Sequence, residues 1–141
     1  GAYVILNKVN VDIAQKLIDF WGLTQTDILN NKTSLSDLAI LFKKIYNKEV
    51  TSSSLTYELL GFLTDTDIED RIPALLPKDT TIYHKTGDAI GIMHDVGIIK
   101  TNNKVFFLGV MTDDIGDSEK EAKNTIAQIA QKVFDFETNH R

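Results

Sequence analysis

Tyr83-His84-Lys85-Thr86-Gly87-Asp88-Ala89 runs directly into Ile90-Gly91-Ile92-Met93-His94-Asp95-Val96-Gly97-Ile98-Ile99. A period-two run ends near Lys85, glycines punctuate the middle, and an apolar run resumes at Val96. That is the pattern of a strand end, a turn and a second strand. Working outward, Thr81 to Lys85 is expected as the first strand, Val96 to Thr101 as the second and Val105 to Met111 as the third. Thr101-Asn102-Asn103-Lys104 supplies the turn between the last two, which makes the set an antiparallel meander. Val105-Phe106-Phe107-Leu108-Gly109-Val110 is apolar at successive positions, as suits a strand covered on both faces.

Helical signals flank this block. After it, Ser118-Glu119-Lys120-Glu121 is a capping box. It opens a helix whose Ala122, Ile126, Ile129, Ala130, Val133 and Phe136 share one face, expected to lie on the sheet. Before the strands, Ala2 to Leu6 is apolar and helix-like. Asn10 offers an N-cap for a helix over Val11 to Trp21, with Ile13, Leu17, Phe20 and Trp21 on one side and Gly22 as its stop. Leu23 to Lys32 reads as a short polar connection without a glutamate. Ser34 with Asp37 resembles a capping box ahead of Leu38, Leu41, Phe42 and Ile45. Thr51 to Ser54 caps a further helix carrying Leu55, Leu59, Phe62 and Leu63. Asp65, Asp67, Glu69 and Asp70 are expected at a solvated helix start, where the dipole favours negative charge. Ile72-Pro73-Ala74-Leu75-Leu76-Pro77 then breaks helix and leads into the strands.

The fold class expected is therefore α+β: a helical portion, a three-stranded antiparallel meander and a C-terminal helix. At 141 residues the chain is one domain's worth, long enough to bury a core. A formal net charge of -5 gives no electrostatic reason to expect nucleic acid or an anionic membrane as partner. No apolar run approaches the ~18 residues of a membrane span. The absence of cysteine excludes disulfides and thiolate metal sites, and His84, His94 and His140 lack ligand spacing, so neither metal nor cofactor is expected.

Lys85-Thr86-Gly87 on a strand, followed by a hairpin and a closing amphipathic helix, resembles the third signature of the penicillin-recognising serine hydrolases. The order of elements is similar to the C-terminal part of class A β-lactamases and D-alanyl-D-alanine peptidases. The resemblance implies roles for four residues. Lys85 supplies positive charge and helps proton transfer, and the Thr86 hydroxyl binds the substrate carboxylate. Gly87 lets substrate lie close along the strand, and the backbone N–H of Asp88 is one of two oxyanion donors. Taken alone, Lys85 and Thr86 also fit a surface segment ahead of a glycine turn. His84 and His94 are expected to be spectators, and Asp95 a structural hydrogen-bonding residue.

The family's other two motifs are not in the chain. Ser34, Ser36, Ser52, Ser53, Ser54 and Ser118 all lack a lysine three residues on, and no Ser-Asp-Asn occurs. By resemblance, Ala2 to Leu6 matches the helix that carries Ser-Asp-Asn at its beginning, so that tripeptide is expected just upstream of Gly1. The expectation is one incomplete β-lactamase-like domain, with residues 1–76 helical and 77–141 carrying the sheet and last helix. Its substrate would be a β-lactam or a peptidoglycan peptide, and its location extracytoplasmic. Its partner would be the N-terminal part of the same protein or a second copy. The alternative is a non-catalytic binding or scaffold protein on the same fold.

Overall fold

The computed structural model describes residues 8–139. Its centre is a three-stranded antiparallel sheet of β1 (Thr81–Ala89), β2 (Ile92–Lys100) and β3 (Val105–Met111), in the order β1-β2-β3. The first two strands are longer than the sequence pattern indicated. Pairing runs unbroken from Thr81↔Lys100 to Ala89↔Ile92, so the turn falls at Ile90-Gly91, where Gly91 takes φ +73. Lys85-Thr86-Gly87 therefore lies inside a strand, not ahead of a turn. The ladder to β2 overrides the weak strand preference of Gly87, which keeps extended backbone opposite His94.

Each face of the sheet has its own core. On one face, Ile82, Met93, Ile99 and Leu108 meet Ile72, Leu76 and the Ala122, Ile126 and Ala130 side of α4 (Glu119–Asn139). On the other, Val96 and Ile98 pack with Phe42 of α2 (Leu35–Tyr46) and with Leu63, while Phe107 joins Phe42 at a ring separation of 5.9 Å. Phe106 and Leu108 thus face α4 and Phe107 faces α2. β3 is covered on both faces, as its unbroken apolar run requires.

The helix caps follow the sequence closely. Asn10 Oδ1 accepts from the Asp12 N–H at the start of α1 (Val11–Phe20), and Gly22 beyond its end has φ +84. Ser34 Oγ accepts from the Asp37 N–H to open α2. Ser52 Oγ accepts from Leu55 to open α3 (Ser53–Gly61).

Four expectations change. The Asp65–Asp70 stretch starts no α-helix. Asp65 takes φ +48, Glu69 is drawn to Thr66 and His84, and a 3₁₀ turn begins only at Ile72, with Pro73 in its first turn. Of the stripe expected on α3, Leu59 and Leu63 pack into the core while Leu55 and Phe62 are exposed, and Thr56 and Leu60 are buried beside them. On α4, Ile129 and Phe136 lie at the exposed margin of the stripe, and the buried positions are Ala122, Ile126, Ala127 and Ala130. Of the α1 stripe, Ile13, Leu17 and Phe20 are exposed, Phe20 at 84%, and Trp21 is half-buried. The helix expected over Ala2 to Leu6 lies outside the described residues.

Candidate active site

Antiparallel pairing sends alternate backbone groups of an edge strand toward its neighbour and away from it. The His84 N–H donates to the Leu63 carbonyl at 2.6 Å, away from β2. Because the register continues without a bulge, Thr86 and Asp88 aim their N–H and C=O groups to that same side. Leu63 covers the β1 edge at His84, and the edge opens immediately afterwards, at Lys85 to Asp88. Lys85 is exposed, and its Nζ donates to the Thr86 carbonyl on this open edge. The structure thus brings an ammonium group, a threonine hydroxyl and an outward-facing N–H onto one short length of free strand.

Gly87 is not demanded by the fold. Its φ is not positive, and an added Cβ would meet only His94 side-chain carbons at 3.7 Å and 3.8 Å, ordinary contact. Gly97 is different. A Cβ there would collide with the Tyr83 carbonyl oxygen and come within 2.7 Å of His84 Cβ. A cleft of about 700 Å³ opens beside Gly87, Asp88 and Ala89, walled by His94, Met111 and Thr112 and by the turn at Asn31, Lys32 and Thr33.

That turn is anchored rather than free. The buried Asp37 carboxylate, instead of completing its capping box, accepts from the Gln25 N–H and Thr26 hydroxyl, both at 2.7 Å. Gln15 reaches from α1 to the Thr26 carbonyl and the Ile28 N–H. The one carboxylate of the connection, Asp27, is taken by its own turn. It accepts from the N–H and side-chain amide of Asn30, and these bonds hold it below the usual carboxylate range.

Behind the open edge lies a buried charged cluster that sequence reasoning did not assemble. His84 Nδ1 is 2.9 Å from Asp95 Oδ1, and His84 Nε2 is 3.1 Å from Glu69 Oε1. Asp95 Oδ2 also accepts from the Ile72 N–H. Burial works against a charged ring, but the hydrogen bonds and charges of Asp95 and Glu69 outweigh it and raise the His84 pKa. Burial likewise works against the Glu69 carboxylate, and its bonds from His84 and Thr66 carry it below its ordinary value. His84 therefore sits between two acidic side chains that favour its protonated form. His94 receives the Thr112 N–H on Nδ1. The fully buried Arg71 donates from Nη1 to the His94 carbonyl and pairs through Nη2 with Asp88 Oδ1, both at 2.7 Å. The available signal was the alternation itself, since His84, Thr86 and Asp88 must share one face of β1. Among the described residues no group of three or more His, Asp or Glu side chains is arranged to hold a metal ion.

Comparison with known proteins gives the same architecture. Residues 2–136 match the model of the β-lactamase enzyme family. The extended-spectrum β-lactamase PER-1 of Pseudomonas aeruginosa is 29% identical over 115 residues, which is 76% of this chain and 37% of that protein. Among solved structures, PBP-A superposes with a TM-score of 0.86 at 26% identity, over 96% of this chain and 55% of its own. A class A β-lactamase from Bacteroides cellulosilyticus, 18% identical, shares the fold with a TM-score of 0.85 over 97% of this chain and 58% of its own. The chain spans between a third and three-fifths of the length of these relatives. With the Lys-Thr-Gly strand, the flanking helices and the family match in agreement, this chain belongs to the β-lactamase enzyme family.

Proposed function

We propose that this chain is the C-terminal part of a β-lactamase-like serine hydrolase acting on β-lactams or D-alanyl peptides through an acyl-enzyme. It forms one incomplete domain, completed by an N-terminal part that brings the Ser-x-x-Lys nucleophile and the Ser-Asp-Asn motif. The observation that carries this reading is the open β1 edge, with Lys85 Nζ on the Thr86 carbonyl and the Asp88 N–H directed outward. An acyl-transfer site needs charge, a carboxylate anchor and an oxyanion donor within one substrate's length. Lys85 supplies the first, the Thr86 hydroxyl the second and the Asp88 N–H the third. Gly87 keeps the edge clear for the substrate backbone. A variant of PBP-A, 27% identical to this chain, has been captured as an acyl-enzyme with penicillin G, which is the chemistry proposed here. Export from the cytoplasm accords with a peptidoglycan-peptide substrate.

The connection from Leu23 to Lys32 has no glutamate, and Asp27 is held by Asn30. Acylation is therefore expected to be followed by slow release. The test is to incubate the natural protein with a fluorescent penicillin and follow the adduct by intact mass and in-gel fluorescence. One adduct per protein, formed on a serine and persisting over many minutes, is the expected result. Rapid steady-state hydrolysis would overturn the slow-release claim. The absence of any adduct would favour the second reading, a binding or scaffold protein, which draws on the lack of any Ser-x-x-Lys in these residues.

A further inference from the structure

The residue proposed as oxyanion donor carries a carboxylate of its own, three bonds from the donating nitrogen. Left uncompensated, that charge would oppose the negative oxygen the N–H has to stabilise. Its surroundings answer the difficulty. The Asp88 side chain shares a face with His84, away from Lys85, and its Oδ1 lies 2.7 Å from Arg71 Nη2. Arg71, 1% exposed, also donates from Nη1 to the carbonyl of His94, the β2 residue paired with Gly87. One guanidinium thus grips both strands of the hairpin where the edge is open. Its Nε lies 3.5 Å from Asp70 Oδ1, and Asp70 Oδ2 lies 2.8 Å from Lys123 Nζ on α4. Lys123, Asp70, Arg71 and Asp88 form a line of alternating charge that sums to zero.

We propose that Arg71 is a positioning residue for this site: it neutralises the Asp88 carboxylate and holds it on the α4 side of the sheet, so that the Asp88 N–H can serve an oxyanion. The inference rests on the proposed acyl-enzyme chemistry and adds to it a specific dependence on charge. A purely structural Arg71 would matter through its bonds to the hairpin, and an uncharged glutamine would then fail whatever residue stood at position 88. A neutralising Arg71 matters only while residue 88 is anionic.

The experiment measures the second-order rate of acylation by fluorescent penicillin in the natural protein and three variants, each checked for fold by circular dichroism. Arg71→Gln is expected to lose about tenfold or more, an effect on the scale of weakening one oxyanion donor. Arg71→Lys, which keeps the charge, should retain most of the rate. Arg71→Gln combined with Asp88→Asn should recover to within about threefold of the natural protein, because the opposing charge has gone with its partner. A folded double variant as slow as Arg71→Gln alone would overturn the proposal, as would Arg71→Gln acylating at the natural rate. If Arg71→Gln does not fold, Arg71→Lys and the double variant still decide: either one folded and below a tenth of the natural rate refutes neutralisation. Failure of the natural protein to acylate at all would refute the proposed function instead, a separate outcome.

Discussion

His84 Nδ1 stands 2.9 Å from Asp95 Oδ1, and ring and carboxylate are both shut off from solvent directly behind Lys85. The far side of the ring meets Glu69 Oε1 at 3.1 Å, so the imidazole lies between two acidic side chains under the first residue of the Lys-Thr-Gly segment. A pair of this kind is costly to break from one side, because the remaining charge stays buried.

This arrangement sets a pH window for stability. His84 is raised above 6.5 in the folded chain, so its contribution is fully present below 6.5 and is lost as pH climbs through the raised value. Glu69 is lowered below 4.5, so its contribution is present above 4.5 and is lost as pH falls through the lowered value. The thermal midpoint should be highest between about 4.5 and 6.5 and should decline on the alkaline side. His84→Gln should remove that alkaline decline while costing about 3–5 kcal/mol overall, the range for breaking a buried pair. An alkaline slope unchanged in the variant would assign it to other groups.

Lys85 makes the opposite case. It is exposed, and among the described residues its hydrogen bond goes to the neighbouring Thr86 carbonyl. Lys85→Ala should therefore shift stability by no more than about 0.5 kcal/mol, as exposed substitutions do. Acylation by fluorescent penicillin should fall far more. Equal losses in thermal midpoint and in acylation would make Lys85 a structural residue.

At Thr86 the claim concerns one hydroxyl. Thr86→Val keeps the shape and β-branching that suit β1, so the fold should hold. A hydrogen bond to a charged carboxylate is worth about 1.5–3 kcal/mol, which corresponds to a loss of about tenfold or more in acylation efficiency. Unchanged efficiency toward penicillins would remove Thr86 from the site.

What the sequence disclosed and what it withheld follow from how local each signal is. The period-two runs, the turn at Thr101 and the caps at Asn10, Ser34 and Ser52 are contiguous in the chain, and all were legible there. The extent of β1 was not, because Gly87 and Gly91 look alike in sequence and only pairing with His94 keeps the first of them extended. The site was legible as a tripeptide, whereas its supports were scattered. Arg71 reaches Asp88 across the 3₁₀ turn, and Glu69 reaches His84 from a stretch that reads as a helix start. Long-range charge pairs leave no periodic trace. The α4 face was misjudged at Ile129 and Phe136 because apolar spacing alone does not show which part of a wide apolar stripe meets the sheet.

The two glycines flanking this region should part company under the same substitution. Gly97→Ala would force a Cβ into the β1 backbone at Tyr83 and His84, and relief requires moving the strand that carries Lys85. A loss of about 1–3 kcal/mol is expected, on the scale of overpacking a well-packed core, with acylation falling alongside it. Gly87→Ala meets nothing closer than 3.7 Å, so the fold should tolerate it while substrate loses its close approach to the edge. Loss of stability in Gly87→Ala comparable to that in Gly97→Ala would show that position 87 serves the fold.

The last prediction concerns the 141-residue polypeptide as it is recovered in folded form from its natural source. β3 is an outer strand of the sheet among the described residues, and its Val105-Phe106-Phe107-Leu108 segment has neither proline nor charge to deter a second strand. Val105 is 47% exposed. On α1, Ile13, Leu17 and Phe20 stand exposed three or four residues apart, so they form one apolar stripe and not isolated surface residues. Ile129 and Phe136 add apolar surface on α4. A chain with both an open strand edge and an open helical stripe is expected to hold an N-terminal fragment, pair with a second copy or aggregate. The bound fragment is favoured, since it covers both surfaces without a new interface. Size-exclusion chromatography with light scattering, beside denaturing mass spectrometry, separates the outcomes. A second, shorter polypeptide identifies the bound fragment, and a mass of twice 15.8 kDa identifies self-pairing. A single species of 15.8 kDa that stays monomeric at high micromolar concentration would refute the exposed-edge argument, because nothing would then be covering β3.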